Sequence, residues 1–263
     1  MDKKKKTAVV TGGSSGIGKA VCKELVRAGY RVYELSRRES AENEITHISC
    51  DITNEQKVRD SISIVEKDGI DLLICCAGFG ISGAVEYTDP ADARKQLDVN
   101  LFGVDNTIRA ALPALRKSRG NILVISSVAA MAPIPFQTWY SVSKAAINAY
   151  ASALRSELRP FGISVCAVMP GDIRTGFTEA RRKNHIGDDI YSGRISRSVA
   201  GMEKDEENGM SPARAAKLIV RTAVRKNVPA HYTVGFVYQL LVLLLKLLPA
   251  SLASYIVGLI YAK

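Results

Sequence analysis

Thr11-Gly12-Gly13-Ser14-Ser15-Gly16-Ile17-Gly18 follows directly on the apolar run Ala8 to Thr11 and leads into the helical stretch Lys19 to Ala28. Strand, glycine turn and helix in that order form an anion site. The glycines let the backbone turn tightly and let a pyrophosphate approach the helix N-terminus, where N–H groups and the helix dipole stabilise negative charge. The spacing is G-x-x-x-G-x-G rather than G-x-G-x-x-G, so the flanking strand and helix carry the reading rather than the glycines alone.

The rest of the chain repeats the unit. Short Val- and Ile-rich runs at Arg31 to Leu35, Thr46 to Cys50, Leu72 to Cys76, Asn121 to Ser126, Ser164 to Met169 and His231 to Val234 alternate with segments of helical period. With Ala8 to Thr11 this makes seven strands of one open parallel sheet with helices on both faces, an α/β doubly wound architecture. Gly29 closes the first helix, Asp89 with Pro90 opens the fourth, and Ser211 with Pro212 opens a late one. No internal repeat or Gly/Ser linker divides the chain, so residues 1–263 are expected to form a single domain. Two segments break the rhythm. Gly171 to Gly209 is polar, charged and without an evident period, and residues 172–210 are expected to be a mobile cover over a binding site. The tail, residues 235–263, is almost wholly apolar from Phe236 to Ile260, broken by Gln239, Lys246 and Pro249. A membrane span needs about 20 continuous apolar residues, so two helices, Phe236 to Leu248 and Ala250 to Tyr261, fit better than a span. They are expected to pack on the body or an oligomer partner, or to touch a membrane peripherally.

Composition removes several function classes. Of 263 residues, 47% are hydrophobic and 24% charged, the profile of a folded globule. Net charge is +10, but the basic residues are scattered and only 6% of the chain is aromatic, which argues against nucleic acid. Lys3-Lys4-Lys5-Lys6 reads as a solvated chain end, and Thr7 to Val10 is too short for the apolar core of a secretory signal. Cys22, Cys50, Cys75, Cys76 and Cys166 are odd in number with no C-x-x-C pair, so reduced thiols and a cytoplasmic setting are expected. His47, His185 and His231 are far apart, and no metal site is expected.

At the end of the second strand, an NAD site places an acidic side chain to bind the ribose 2′-hydroxyl. Here Ser36 is followed by Arg37 and Arg38, and a guanidinium binds a 2′-phosphate in a bidentate fork, so the expected cofactor is NADP(H). Asp51 and Ile52 follow the third strand, where Asp51 either accepts from an adenine amino group or begins the next turn. Gly12-Gly13-Ser14-Ser15-Gly16 also spells G-x-S-x-G, so a serine hydrolase using His231 is an alternative; it lacks a preceding strand to supply an oxyanion-hole loop.

Tyr140 and Lys144 stand four residues apart in the helical segment Trp139 to Leu158, on one face. A phenol is a poor base at neutral pH, and a nearby ammonium favours the phenolate. At ~4 Å and an effective dielectric of ~20 the attraction is ~4 kcal/mol, roughly three pKa units before desolvation trims it. Ser127 ends Ile125-Ser126-Ser127, thirteen residues before Tyr140, and Asn100 lies in the preceding helix.

With those residues in place the chain resembles the short-chain dehydrogenase/reductase family. The match runs in order through Thr11 to Gly18, Asp51, Cys75-Cys76-Ala77-Gly78, Asn100, Ser127, Tyr140, Lys144, and Pro170-Gly171 to Thr175. The resemblance implies a seven-stranded Rossmann-like sheet of order 3-2-1-4-5-6-7, assembled as a homodimer or homotetramer. It implies that Gly12, Ser14, Ser15, Gly16, Ile17, Gly18, Ala77, Gly78, Pro170, Gly171, Ile173 and Thr175 hold the cofactor with Asn100, Tyr140 and Lys144. In that scheme Tyr140 exchanges a proton with the substrate oxygen, Ser127 hydrogen-bonds that oxygen, Lys144 lowers the tyrosine pKa and binds the nicotinamide ribose, and Asn100 anchors a proton-passing water. The family commonly has Asn-Asn-Ala-Gly where this chain has Cys75-Cys76-Ala77-Gly78, which puts a structural amide bond in doubt and leaves two small packing thiols. Ile173, Phe177, Met131, Ile134, Phe136 and the tail are expected to wall an apolar pocket. The tail resembles extensions in relatives acting on steroids, retinoids and acyl lipids. The expected activity is NADP(H)-dependent reduction of a hydrophobic ketone or oxidation of the matching secondary alcohol, a hydroxysteroid first and an acyl-lipid ketone second; the competing class is a catalytically silent NADP-binding sensor.

Overall fold

β1 (Thr7–Thr11) is buried along its whole length because it lies between two parallel neighbours, β2 (Arg31–Ser36) and β4 (Leu72–Cys75). β3 (Ile45–Ser49) extends the sheet beyond β2, while β5 (Asn121–Ile125), β6 (Ser164–Pro170) and β7 (His231–Val234) extend it beyond β4. The order is therefore 3-2-1-4-5-6-7, all parallel, as the family resemblance implies. This computed structural model describes residues 5–39 and 42–262; Lys3 and Lys4 of the basic run and Lys263 of the tail lie outside the described residues. Chain direction across the sheet reverses between β1 and β4, which opens a crevice at the carboxyl ends of those strands.

Side-chain alternation divides the core into two layers. Val9 and Ile122 point to the face covered by α2 (Glu55–Glu66), α4 (Gly103–Ser118) and α5 (Thr138–Leu158), where Val58, Ile62, Ile108, Leu115 and Ile147 meet them. Ala8, Val10 and Leu123 point to the other face, met by Val21 and Leu25 of α1 (Gly16–Arg27) and Ala216 and Ile219 of α8 (Pro212–Ala223). Asp89 caps α3 (Pro90–Leu97) by accepting from the Ala91 N–H. That helix is the third, not the fourth, because no helix separates β2 from β3 among the described residues. Between α3 and α4 the chain makes a π-helical turn, Asp98–Phe102.

The segment expected to lack a period contains α6 (Phe177–Ala180) and the 14-residue α7 (Arg194–Glu207), whose Ile195, Val199 and Met202 are buried at i, i+4 and i+7. Two-residue strands at Ile81–Ser82 and Arg182–Lys183 pair in parallel, and Arg182 and Lys183 form ion pairs with Asp92 and Glu203. The tail forms α9 (Phe236–Leu247) and α10 (Ala250–Tyr261), broken at Pro249 as the sequence predicts. Among the described residues no helix is long and apolar enough to cross a membrane.

Candidate active site

The glycine turn has the geometry its sequence demands. Gly12 and Gly16 have φ of +69° and +53°, a region that costs a side chain energy. A Cβ on Gly12 would stand 2.8 Å from the Ala77 backbone, and one on Gly18 would stand 2.3 Å from the Gly12 carbonyl oxygen. No side chain caps the N-terminus of α1, and its first turn carries no acidic residue, so its positive end is left to the crevice. The crevice is a cleft of about 1100 Å³. Every cofactor and site residue expected from the sequence lines it except Asn100: the turn, Ser36 to Arg38, Asp51 and Ile52, Ala77 and Gly78, Ser127, Tyr140 and Lys144, and Pro170 to Thr175. An elongated cleft that opens on an uncapped helix end, over glycines that no side chain can replace, fits a nicotinamide dinucleotide.

Where the sequence places the adenosine, Arg37 and Arg38 are exposed, and the Ser36 hydroxyl stands 2.8 Å from the Arg38 carbonyl. The Asp51 carboxylate accepts from the Thr53 backbone N–H at 3.0 Å and the Thr53 hydroxyl at 2.8 Å, so it begins a turn while lining the cleft. Burial opposes its ionisation, but the Thr53 bonds with the Arg37 and Lys57 charges outweigh that and hold its pKa below the ordinary value.

Tyr140 and Lys144 face the cleft from α5, and their mutual electrostatics depart from the sequence expectation. Lys144 is buried, and its Nζ donates to the Ile125 carbonyl at 2.8 Å, lying 5.7 Å from the centre of the Tyr140 ring. Burial therefore dominates both groups. It pushes the tyrosine up to about 12, opposed by a hydrogen bond from Ser127, and pulls the lysine down to about 8. The Ser127 hydroxyl also accepts from the Ala129 N–H at 3.1 Å, closing the short turn after β5. Asn100 sits one layer behind. Its Oδ1 accepts from the Phe79 N–H and its Nδ2 donates to the Phe79 carbonyl and the Ser143 hydroxyl, all at 3.0 Å. Asn100 thus clamps the loop after β4, and the π turn aims it there. Cys75 is buried, and burial raises its thiol to about 12; burial also raises Cys76, so both are neutral packing groups.

The apolar walls are partly as expected. Ile134, Ile173 and Phe177 line the cleft, with the Phe177 ring 5.7 Å from that of Tyr140. Met131 and Phe136 do not line it. Phe136 turns its ring edge-on to Tyr191 at 5.5 Å, with a φ of +60°, and the Met131 sulfur lies 3.9 Å from the Asn148 amide. Sequence reasoning missed Met202 of α7 and the contribution of the tail by residue: Tyr238, Leu241, Leu245, Ile256, Val257, Ile260 and Tyr261. It also missed a charged group on the same wall. Arg181, with a side chain 1% exposed, pairs with Glu206, and the Asp172 carboxylate accepts from the Tyr238 hydroxyl at 2.5 Å. The spacing of Ile195, Val199 and Met202 is the one trace of α7 in the sequence, faint within a charged stretch, and the tail contacts leave none.

The hydrolase alternative fails on geometry. His231 starts β7, four strand positions from β1 and so ~19 Å from the Ser14 turn at ordinary strand spacing, and its Nε2 lies 3.3 Å from the Ser152 hydroxyl.

Seven parallel strands in this order, with the glycine turn at their reversal point, make a doubly wound α/β fold of the dinucleotide-binding type. The family model for short chain dehydrogenase matches residues 6–186, and the chain belongs to that family. It is 38% identical over 261 residues, 97% of each chain, to a 3-ketodihydrosphingosine reductase of Bacteroides thetaiotaomicron. It is 35% identical over 191 residues to the NADPH-dependent 1-acyldihydroxyacetone phosphate reductase of Saccharomyces cerevisiae, covering 67% of this chain and 64% of that one. A solved short-chain dehydrogenase from Streptomyces avermitilis superposes with a TM-score of 0.85 at 26% identity over 97% of each chain.

Proposed function

We propose that this protein is an NADP(H)-dependent reductase of long-chain lipid ketones, with a sphingoid-type amino ketone as the favoured substrate. The observation that carries the reading is the mixed lining of the cleft. Tyr140, Ser127 and Lys144 share it with the charged Asp172, Arg181 and Glu206 and with leucines and isoleucines of α9 and α10. A molecule with a polar reacting head and a long apolar chain matches both kinds of lining. Similarity to a sphingoid ketone reductase and an acyl-lipid ketone reductase supports acyl-lipid ketones ahead of hydroxysteroids, the reverse of the order expected from the sequence.

NADP(H), when bound, supplies or accepts the hydride. The turn from Gly12 to Gly18 would hold its pyrophosphate against α1, with Arg37 and Arg38 on the 2′-phosphate. Tyr140 is protonated through neutral pH because burial raises its pKa to about 12, so in the reducing direction it is a proton donor to the ketone oxygen. Ser127, already bonded to Tyr140, would hold that oxygen in line. Lys144, fixed by the Ile125 carbonyl, would bind the nicotinamide ribose. Asn100 is a positioning residue that fixes the Phe79 loop under the reacting end. Glu206 is balanced by its ion pair with Arg181, so Asp172 supplies the remaining negative charge near Tyr140, which suits an ammonium next to the ketone.

The test is NADPH consumption over a panel of long-chain 2-amino-3-ketones, acyl ketones and ketosteroids, with Tyr140→Phe as the control. Turnover confined to the steroids would overturn the substrate reading, and no turnover on any member would favour the silent sensor.

A further inference from the structure

The two tail helices have apolar side chains on two faces. One face closes the cleft through Leu241, Leu245, Ile256 and Val257. The opposite face is bare: Phe236, Val237 and Leu247 are 79%, 74% and 74% exposed, and Leu243, Leu244 and Tyr255 are at least half exposed. A helix packed on a water-soluble body turns polar residues outward, and a large exposed apolar patch marks an interaction surface. Residues 236–261 contain no carboxylate, and the Gln239 amide is turned back to the Thr233 carbonyl at 3.0 Å.

The charge and dimensions of these helices favour one occupant. Each helix has 12 residues, ~18 Å long, too short to cross a bilayer but suited to lying in its interface. Lys246 is exposed on α9, and Arg194, exposed at the start of α7, donates from its Nε to the Ala262 carbonyl just beyond α10 at 2.5 Å. The chain carries net charge +10, which attracts an anionic lipid surface and repels a second copy of itself. The bare face and the cleft wall belong to the same two helices.

We propose that α9 and α10 seat this protein on an anionic phospholipid surface, in the plane of the interface, and that the substrate chain enters the cleft laterally from the bilayer. The route rests on the long-chain lipid reading above; the docking is tested without substrate, so the two fail separately. Full-length protein is floated with vesicles of phosphatidylcholine alone and of phosphatidylcholine mixed with phosphatidylglycerol. The wild type is expected to float with the anionic vesicles and to be released by high salt. V237E/L247E, at positions outside the cleft, is expected to partition about a hundredfold less, with V237S/L247S showing a smaller loss. Unchanged thermal melts and NADPH binding establish that both variants are folded. Wild type that stays at the bottom with both vesicle types, or variants that float as well as wild type, would overturn the proposal. So would a wild-type dimer that V237E/L247E dissolves while neither floats, since a second copy would then be the occupant.

Discussion

Tyr238 lies across the backbone of Gly171 so closely that a Cβ on the glycine would stand 2.3 Å from the ring, and its hydroxyl donates to Asp172. A residue of α9 therefore roofs the turn that leaves β6, at the reacting end of the cleft. Gly171→Ala cannot be accommodated while the ring stays. The expected cost is about 1–3 kcal/mol of stability, with α9 displaced. Adding Tyr238→Ala should recover most of that loss, because the clash is between these two groups. Thermal melts of the two single variants and the double variant check it; additive losses would show that the ring is not what Gly171 accommodates.

Tyr140→Phe removes the proposed proton donor and keeps the ring against Phe177. Ketone reduction should fall by about 10²- to 10⁴-fold, the ordinary contribution of a positioned acid, with NADPH affinity unchanged. Single-turnover rates alongside a fluorescence titration of NADPH separate the two.

Lys144, in its proposed role, is expected to set the upper limit of the pH profile. Burial lowers its pKa to about 8, so its positive charge is present below that value and is lost as pH rises through it. Tyr140, raised to about 12, stays protonated over the same interval. Reduction should therefore be level on the acid side of 8 and decline above it, and Lys144→Met should abolish the decline together with most of the activity. A kcat/KM profile that still rises through pH 9 would contradict this assignment.

Arg37→Ala/Arg38→Ala removes two exposed guanidinium groups from the part of the cleft proposed to take the adenosine. A hydrogen bond to a charged group contributes about 1.5–3 kcal/mol, so KM for NADPH should rise about ten- to hundredfold while KM for NADH stays level. Steady-state kinetics with both nucleotides measure it, and an equal loss on each would assign the arginines a structural role only.

Asp172→Asn removes negative charge from the wall beside Tyr140. KM for a long-chain amino ketone should rise about tenfold, the scale of one partly screened ion pair, with little change for the same ketone lacking the amine. Comparison of the two substrates is the readout.

The parts of this molecule legible in the sequence are those that local chemistry determines. Gly12 and Gly16 announce positive φ, and Val- and Ile-rich runs locate all seven long strands to within a residue or so at each end. Tyr140 and Lys144 show their shared face by spacing alone. What sequence could not show depends on partners far along the chain. Lys144 is ruled by the Ile125 carbonyl and by burial rather than by Tyr140, and neither effect is visible at four-residue spacing. α7 was hidden because only three large buried apolar residues punctuate a charged stretch. The paired strands at Ile81–Ser82 and Arg182–Lys183 are too short to have a period. Met131 and Phe136 are apolar and near the cleft in sequence, yet their backbone turns them elsewhere.

The π turn at Asp98–Phe102 holds one more residue than an α-helical turn would, the Gly103 N–H reaching back to the Asp98 carbonyl. Deleting Val99 would let the helix close normally, and everything on one side of the cut would rotate by ~100° against the other. Asn100 and the apolar stripe of α4 could not both keep their bearings. Chain length here is a phase lock between the Phe79 loop and the helical layer beneath the sheet.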